Sequence, residues 1–189
     1  MADLAILRDI NETLKKLLQE NIPELSEENA IIFDSPGEIE ESTTTRLTAF
    51  LYHIMENSQL RNTQPSYPEF NKRQYAPLTL DLHYMFVPYA QTRENEIIVM
   101  ERLLRTLYDN AVLRPPVLQG NLEESGNGEI RVVPHTLSLD DLNKLWSTFP
   151  NKAFKLSKSY IITPVRIPSA RTAAVSRVTE KIVSAMGKS

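Results

Sequence analysis

The chain has 189 residues, of which 41% are hydrophobic and 24% are charged, a composition typical of one globular domain. It contains no cysteine, which excludes disulfides, cysteine-based zinc sites and thiol catalysis, and fits folding in a reducing cytoplasm. The net charge of −3 is unevenly distributed: residues 1–150 carry a net charge of −10, whereas residues 151–189 hold eight basic residues and one acidic residue, a net charge of +7. An acidic body with a basic end predicts electrostatic docking on a neighbouring molecule, including another copy of the chain.

The apolar runs are short, and none approaches the roughly 20 residues that a membrane-spanning helix needs. Asp3 stands where a secretory signal would carry positive charge, and no small-residue cleavage site follows it. We therefore predict no secretory signal and expect a protein that is made in the cytoplasm and has no membrane partner.

The N-terminal half predicts one helix and three strands. Apolar residues at three- and four-residue steps indicate a helix over residues 2–20, capped by Asp3 and ended by Pro23. Alternating or apolar runs predict strands over residues 30–33, 47–56 and 78–87. Residues 57–76 are polar and predict a long loop, of a length that is often functional or becomes ordered in an assembly.

The C-terminal half predicts two helices and two strands. Thr92 caps a helix that runs to about Asn110. The pattern assigns its inward stripe to Ile97, Met100, Leu104, Leu107 and Tyr108. Ser138 opens a second helix with capping-box chemistry. Strands are predicted over residues 129–133 and 156–167, and Pro164 favours an edge position for the second of them.

This order of elements predicts an α+β fold, with one mixed, largely antiparallel sheet, about three helices packed on it, and a C-terminal arm. We divide the chain into an α+β domain over residues 1–167 and a basic tail or arm over residues 168–189. In that tail Val175, Val178 and Ile182 fall at three- and four-residue steps, a pattern that fits a weak helix or an extended arm.

The chain lacks the motifs of common catalytic and nucleotide-binding sites: it has no glycine-rich phosphate loop and no nucleophile elbow. His53 and His83 are predicted in mid-strand, with Asp81 on the same strand face as His83. Neighbouring strands would let these three approach a metal, but no ligand spacing supports a site, so hydrogen-bonded or solvated histidine is the favoured interpretation. We predict no catalytic residue, no cofactor and no metal.

Two groups of residues are candidates for contact with a partner. The basic group is Arg166, Arg171, Arg177 and Lys181, and the aromatic group is Tyr67, Phe70 and Tyr75. The aromatic residues either fold back on the domain or enter an interface, where such residues are enriched. The basic group has no interleaved aromatic residues and is a weak footprint for nucleic acid, so an acidic protein partner is favoured, with a merely solvated tail as the other possibility.

Several ordered segments also carry a family resemblance over about residues 2–169. Besides the N-terminal helix, they are Tyr84–Tyr89, Asp109–Leu113, Leu137–Phe149, Phe154–Ser157 and Tyr160–Ile167. In these segments the chain resembles the cap, or tail-terminator, proteins of extracellular contractile injection systems, the phage-tail-like particles of the Photorhabdus virulence cassette and antifeeding prophage type.

The resemblance implies a structural role without catalysis. Such caps form a sixfold ring at the distal end of the particle, where they terminate the inner tube and the sheath and link the two. The implied partners are other copies of the chain, the inner tube protein and the sheath protein, within a particle that is released or cell-anchored, and no nucleic acid is expected. The alternative function is that of a small monomeric adaptor or nucleic-acid-binding domain that acts through its basic tail.

Overall fold

The computed structural model describes residues 5–39, 45–60, 66–69 and 72–174. Its α-helices are α1 (Ile6–Asn21), α2 (Arg93–Asp109) and α3 (Leu139–Trp146), and short 3₁₀ turns occupy Pro23–Leu25 and Pro36–Glu38. Its strands are β1 (Ile31–Ile32), β2 (Arg46–Glu56), β3 (Ser66–Glu69), β4 (Lys72–Gln74), β5 (Leu78–Tyr89), β6 (Val112–Leu113), β7 (Ile130–His135), β8 (Lys158–Ile167) and β9 (Thr172–Ala174). None of the helices described here is long and apolar enough to cross a membrane.

Six strands form the main sheet in the order β1-β2-β5-β8-β7-β6. The β1–β2 pair is parallel, and the other pairs of this sheet are antiparallel. The predicted α+β class, with a mixed and largely antiparallel sheet and three helices, is confirmed. A second sheet, β3-β4-β9, was not predicted: two of its strands lie within residues 57–76, where the polar composition predicted only a loop. The proposed domain boundary at residue 167 stays a prediction.

Strand β5 is buried on both faces, and this places the helices. Leu82, Tyr84 and Phe86 are fully buried in the larger core, which also contains the apolar faces of α1 and α2. Met85 and Val87 point to the opposite face and pack with Trp146 and Phe149, at the end of α3 and just beyond it. Helices α1 and α2 therefore cover one face of the sheet, and α3 covers part of the other.

The predicted edge position of the last strand is wrong, because β8 lies between β5 and β7 inside the sheet. The register of β8 against β5 shifts between Leu80 and Leu82, so that Thr163 and Pro164 form a bulge opposite Asp81. On the other side, the pairing with β7 ends at Thr163. A bulge that coincides with the end of a ladder allows an inner strand to contain a residue without an N–H donor.

The predicted inward stripe of α2 is also wrong in part. The buried apolar residues are Val99, Met100, Leu103 and Leu107, whereas Ile97, Leu104 and Tyr108 are 51%, 38% and 82% exposed. The inward face includes Glu96, which is buried and binds Lys155 Nζ at 2.6 Å and Arg93 Nη1 at 2.9 Å. Because two cations satisfy this carboxylate, the helix can turn it inward and leave apolar residues outside.

The predicted N-cap of α2 at Thr92 is confirmed, since Thr92 Oγ1 accepts a hydrogen bond from the Asn95 amide at 3.2 Å.

Helix α1 begins at Ile6, with Ala5 at the N-cap, so the cap predicted at Asp3 is wrong. The helix is held instead through its buried Asp9, whose Oδ2 accepts a hydrogen bond from the Asn121 amide at 3.0 Å. Gly120 approaches this carboxylate with φ of +62°, and a Cβ built there would lie 2.3 Å from Asp9 Cγ. Both the backbone angle and the space at this position require glycine.

We predict that Gly120→Ala lowers the free energy of unfolding by about 2–4 kcal/mol, because it adds strain at positive φ and a clash with Asp9. Chemical denaturation followed by circular dichroism measures this change. Gly128→Ala is the matched control: its φ is not in the left-handed region and nothing lies within 4 Å of a new Cβ, so we expect a change below about 0.5 kcal/mol. Equal stability losses in the two variants would contradict the role assigned to Gly120.

Candidate functional site

Tyr75 and Arg171, two of the predicted contact residues, meet at the end of the sheet where β5 begins and β8 ends. The guanidinium carbon of Arg171 lies 4.7 Å from the centre of the Tyr75 ring, and the Tyr75 amide donates to the Arg171 carbonyl at 3.4 Å. An open groove of about 450 Å³ lies at the same end of the sheet. It is lined by Glu56, Asn57, Ala76, Pro77, Leu78, Thr79, Ile167, Pro168 and Ser169. The stacked cation and ring thus belong to the folded surface near residue 168.

Arg166 is tied to the turn before β7. Its amide donates to Asn127 Oδ1 at 2.7 Å, and Asn127 Nδ2 donates to its carbonyl at 2.8 Å. Its Nη1 donates to the carbonyl of Gly126 at 3.2 Å. Asn127 is fully buried, so these bonds satisfy a buried amide side chain. Arg166 therefore has a structural function, and any contact with a partner would be additional to it.

The other predicted contact residues remain predictions. Tyr67 lies on β3, but the structure does not describe its side chain. Phe70, Arg177 and Lys181 lie outside the described residues. The structure therefore brings together one aromatic residue and one basic residue of the seven.

The three histidines come together on the sheet face that α3 partly covers. His53 pairs with His83 across β2 and β5, with ring centres 5.5 Å apart, and the ring of His135, from β7, lies 5.0 Å from that of His83. Tyr52 joins them, since its hydroxyl lies 3.1 Å from His135 Nδ1 and 3.0 Å from Ser159 Oγ. The sequence placed His53 and His83 on strands. It could not show that His135 contacts His83, because this contact depends on the position of β8 between β5 and β7.

This histidine cluster differs from a metal site in its surroundings. The carboxylate of Asp81 binds Asn57 Nδ2 at 3.1 Å and the hydroxyl of Thr163. Within the described residues, no group of three histidine, aspartate or glutamate side chains is arranged to hold a metal ion.

Burial lowers the pKa of His83, and the neighbouring His135 and His53 lower it further, whereas Asp81 acts in the opposite direction. The cluster thus favours neutral imidazole at its centre.

A further surface, which the sequence analysis missed, is the solvent side of α2. Ile97, Leu104 and Tyr108 are separated by seven and four residues, so their side chains lie along one line of the helix. We call these three residues the α2 ridge. The inward stripe predicted from sequence included all three, so only the structure shows that they are exposed. The apolar pattern of α2 is too wide to show from spacing alone which side faces the sheet.

We predict that the protein loses stability as the pH falls from 7 to 5, in part through His83. Because its pKa is lowered in the folded state, the unfolded chain takes up a proton first below about 6.5, the ordinary histidine value. The free energy of unfolding therefore falls with pH in this window. Thermal unfolding at several pH values should show a shallower decline for His83→Gln than for the wild type.

His53→Gln serves as the comparison, since His53 is exposed and its removal should change the pH dependence less than removal of His83. If His83→Gln has the same slope of melting temperature against pH as the wild type, the assigned role of His83 is wrong.

Comparisons with known proteins agree on one group of relatives. A solved PVC sheath/tube terminator from an extracellular contractile injection system, in its extended state, superimposes with a TM-score of 0.66 and 22% identity, covering 93% of this chain and 64% of that one. The tube-terminating cap of the anti-feeding prophage superimposes with a TM-score of 0.67 and 22% identity, covering 93% of this chain and 60% of that one. The chain thus shares their fold and spans less than two thirds of their length.

No curated protein matches the chain. The sequence family described as the Pvc16 N-terminal domain matches residues 9–181, which is most of the chain. The resemblance inferred from the ordered sequence segments is confirmed by this match. The chain therefore belongs to the Pvc16 N-terminal domain family.

Proposed function

We propose that this protein is a structural subunit that caps a contractile injection particle. In this proposal six copies form a ring at the distal end, where they terminate the inner tube and the sheath and link them. The supporting observation is the family match over residues 9–181, together with a fold shared over 93% of the chain with a sheath/tube terminator and a tube-terminating cap.

The architecture is compatible with a ring. Closed rings use head-to-tail contacts, so that each copy must present two different surfaces that complement each other. Here α1 and α2 lie on one face of the main sheet and α3 on the other, and a second, three-stranded sheet contains β9. Different surfaces are therefore available on different sides of one subunit.

The arrangement of the histidine cluster also fits a structural protein better than an enzyme. The buried His83 is surrounded by other rings, and His135 is engaged by Tyr52. The nearest carboxylate, Asp81, is held by Asn57 and Thr163. A general base needs hydrogen-bond access to a substrate proton, whereas His135 and Asp81 are already bonded to neighbouring side chains.

The proposed function is tested by producing the tube and sheath proteins of the same particle with and without this protein. We expect particles of uniform length with it, and tubes and sheaths of variable, greater length without it. Electron microscopy measures the length distribution, and native mass spectrometry measures whether the purified protein forms hexamers. Unchanged particle lengths and a strictly monomeric protein that binds nucleic acid in a salt-sensitive way would favour the adaptor alternative instead.

The basic C-terminal residues provide a second test. Reversal of Arg171, Arg177 and Lys181 to glutamate, or deletion of residues 168–189, should impair ring formation or docking on the sheath, because it removes positive charge that would attract an acidic neighbour. Co-sedimentation with sheath measures docking. Normal particle assembly by the truncated protein would refute the contribution of this segment.

A further inference from the structure

The α2 ridge is an apolar helix face without a partner in the described part of the chain. Ile97, Leu104 and Tyr108 span about 16 Å along the helix axis at a rise of 1.5 Å per residue. Tyr108 is the most exposed of the three, at 82%. An aligned set of exposed apolar side chains on one helix is a common recognition surface for another segment of protein.

The charges beside the ridge are mainly negative. Glu94, Glu101 and Asp109 are exposed on α2, as are the cations Arg93 and Arg105, and Arg93 is bound to Glu96 at 2.9 Å. Among the residues that the structure describes, the three carboxylates and Arg105 have no ion-pair partner. By contrast, the charged residues on the sides of α2 that face the protein are paired, with Arg102 bound to Glu24 at 2.7 Å. The ridge is therefore an apolar surface with an excess of unpaired carboxylates.

The chain itself contains a segment with the complementary character. Residues 175–189 follow β9, and they carry three basic residues, Arg177, Lys181 and Lys188, against the single acid Glu180. Their apolar residues Val175, Val178 and Ile182 recur at three- and four-residue steps, with two of the basic residues between them. Fifteen residues reach up to about 50 Å when extended, enough to cross to an adjacent subunit.

We propose that the α2 ridge of one copy binds residues 175–189 of the neighbouring copy. Val175, Val178 and Ile182 cover the ridge, while Arg177 and Lys181 neutralise Glu94, Glu101 and Asp109. This inference rests on the proposed ring and names the contact that closes it. A head-to-tail ring needs one donor and one acceptor on each copy, and the segment and the ridge are such a pair.

The absence of cysteine from the chain allows a direct test by disulfide crosslinking. The full-length variant that combines Tyr108→Cys with Val178→Cys should, on mild oxidation, give a ladder of covalent oligomers up to the ring on a non-reducing gel. The matched control combines Glu123→Cys, in the exposed turn before β7, with Val178→Cys, and it should remain monomeric on the same gel. A disulfide confined to the monomer would show that the segment binds its own chain, and would overturn the proposal.

Charge reversal tests the electrostatic part of the contact. Glu101→Lys with Asp109→Lys, and separately Arg177→Glu with Lys181→Glu, should each raise the concentration needed for assembly at least ten-fold, measured by light scattering. The four changes combined should restore assembly to within about three-fold of the wild type. The control Glu123→Lys with Glu124→Lys makes the same change of charge away from α2 and should leave assembly unaltered. Reversals that leave assembly unchanged, or a combination that fails to restore it, would overturn the proposal.

These experiments distinguish a failure of this inference from a failure of the proposed function. If the wild-type protein forms a ring and caps the particle, but the variant with Tyr108→Cys and Val178→Cys does not crosslink between copies, this inference is overturned and the proposed function stands. A wild-type protein that neither oligomerises nor binds tube and sheath overturns the proposed function and this inference with it.

Discussion

The fold depends on one strand being buried on both faces. Every second side chain of β5 enters the core beneath α1 and α2, and the side chains between them pack under α3 and the aromatic residues that follow it. A register slip of one residue would exchange the two sets, placing Tyr84 and Phe86 where Met85 and Val87 now lie. The two cores therefore fix the register of the central strands together, and the positions of all three helices follow from it.

The sequence predicted the elements that have a strong local signal. Thr92 and Ser138 cap helices in the structure, and the alternation in β5 is present as predicted. The α+β class followed from the order of such elements. The prediction was wrong where pairing between distant strands determines the structure. Pro164 indicated an edge position for β8, but the bulge opposite β5 and the end of the pairing with β7 allow this inner strand to contain a proline.

The candidate surfaces were predicted less well for the same reason. The orientation of α2 depends on Glu96, whose burial is made acceptable by Lys155, 59 residues later in the chain. No local pattern can show that a glutamate will find this partner, so three outward residues, Ile97, Leu104 and Tyr108, were assigned to the inward stripe. The histidine cluster similarly depends on the order of the strands: β2, β5 and β7 carry the three rings, and β8 lies between β5 and β7. The sequence contained the histidines but did not show this order.

The bond between Lys155 and Glu96 has a mechanical consequence. Lys155 lies in the segment after α3, and its 2.6 Å bond to Glu96 connects that segment to α2, a helix on the opposite face of the sheet. An ion pair between side chains thus joins the segment after α3 to α2, in addition to the connection through the sheet. A displacement of the segment between α3 and β8 would therefore be resisted by α2 as well as by the strand that follows the segment.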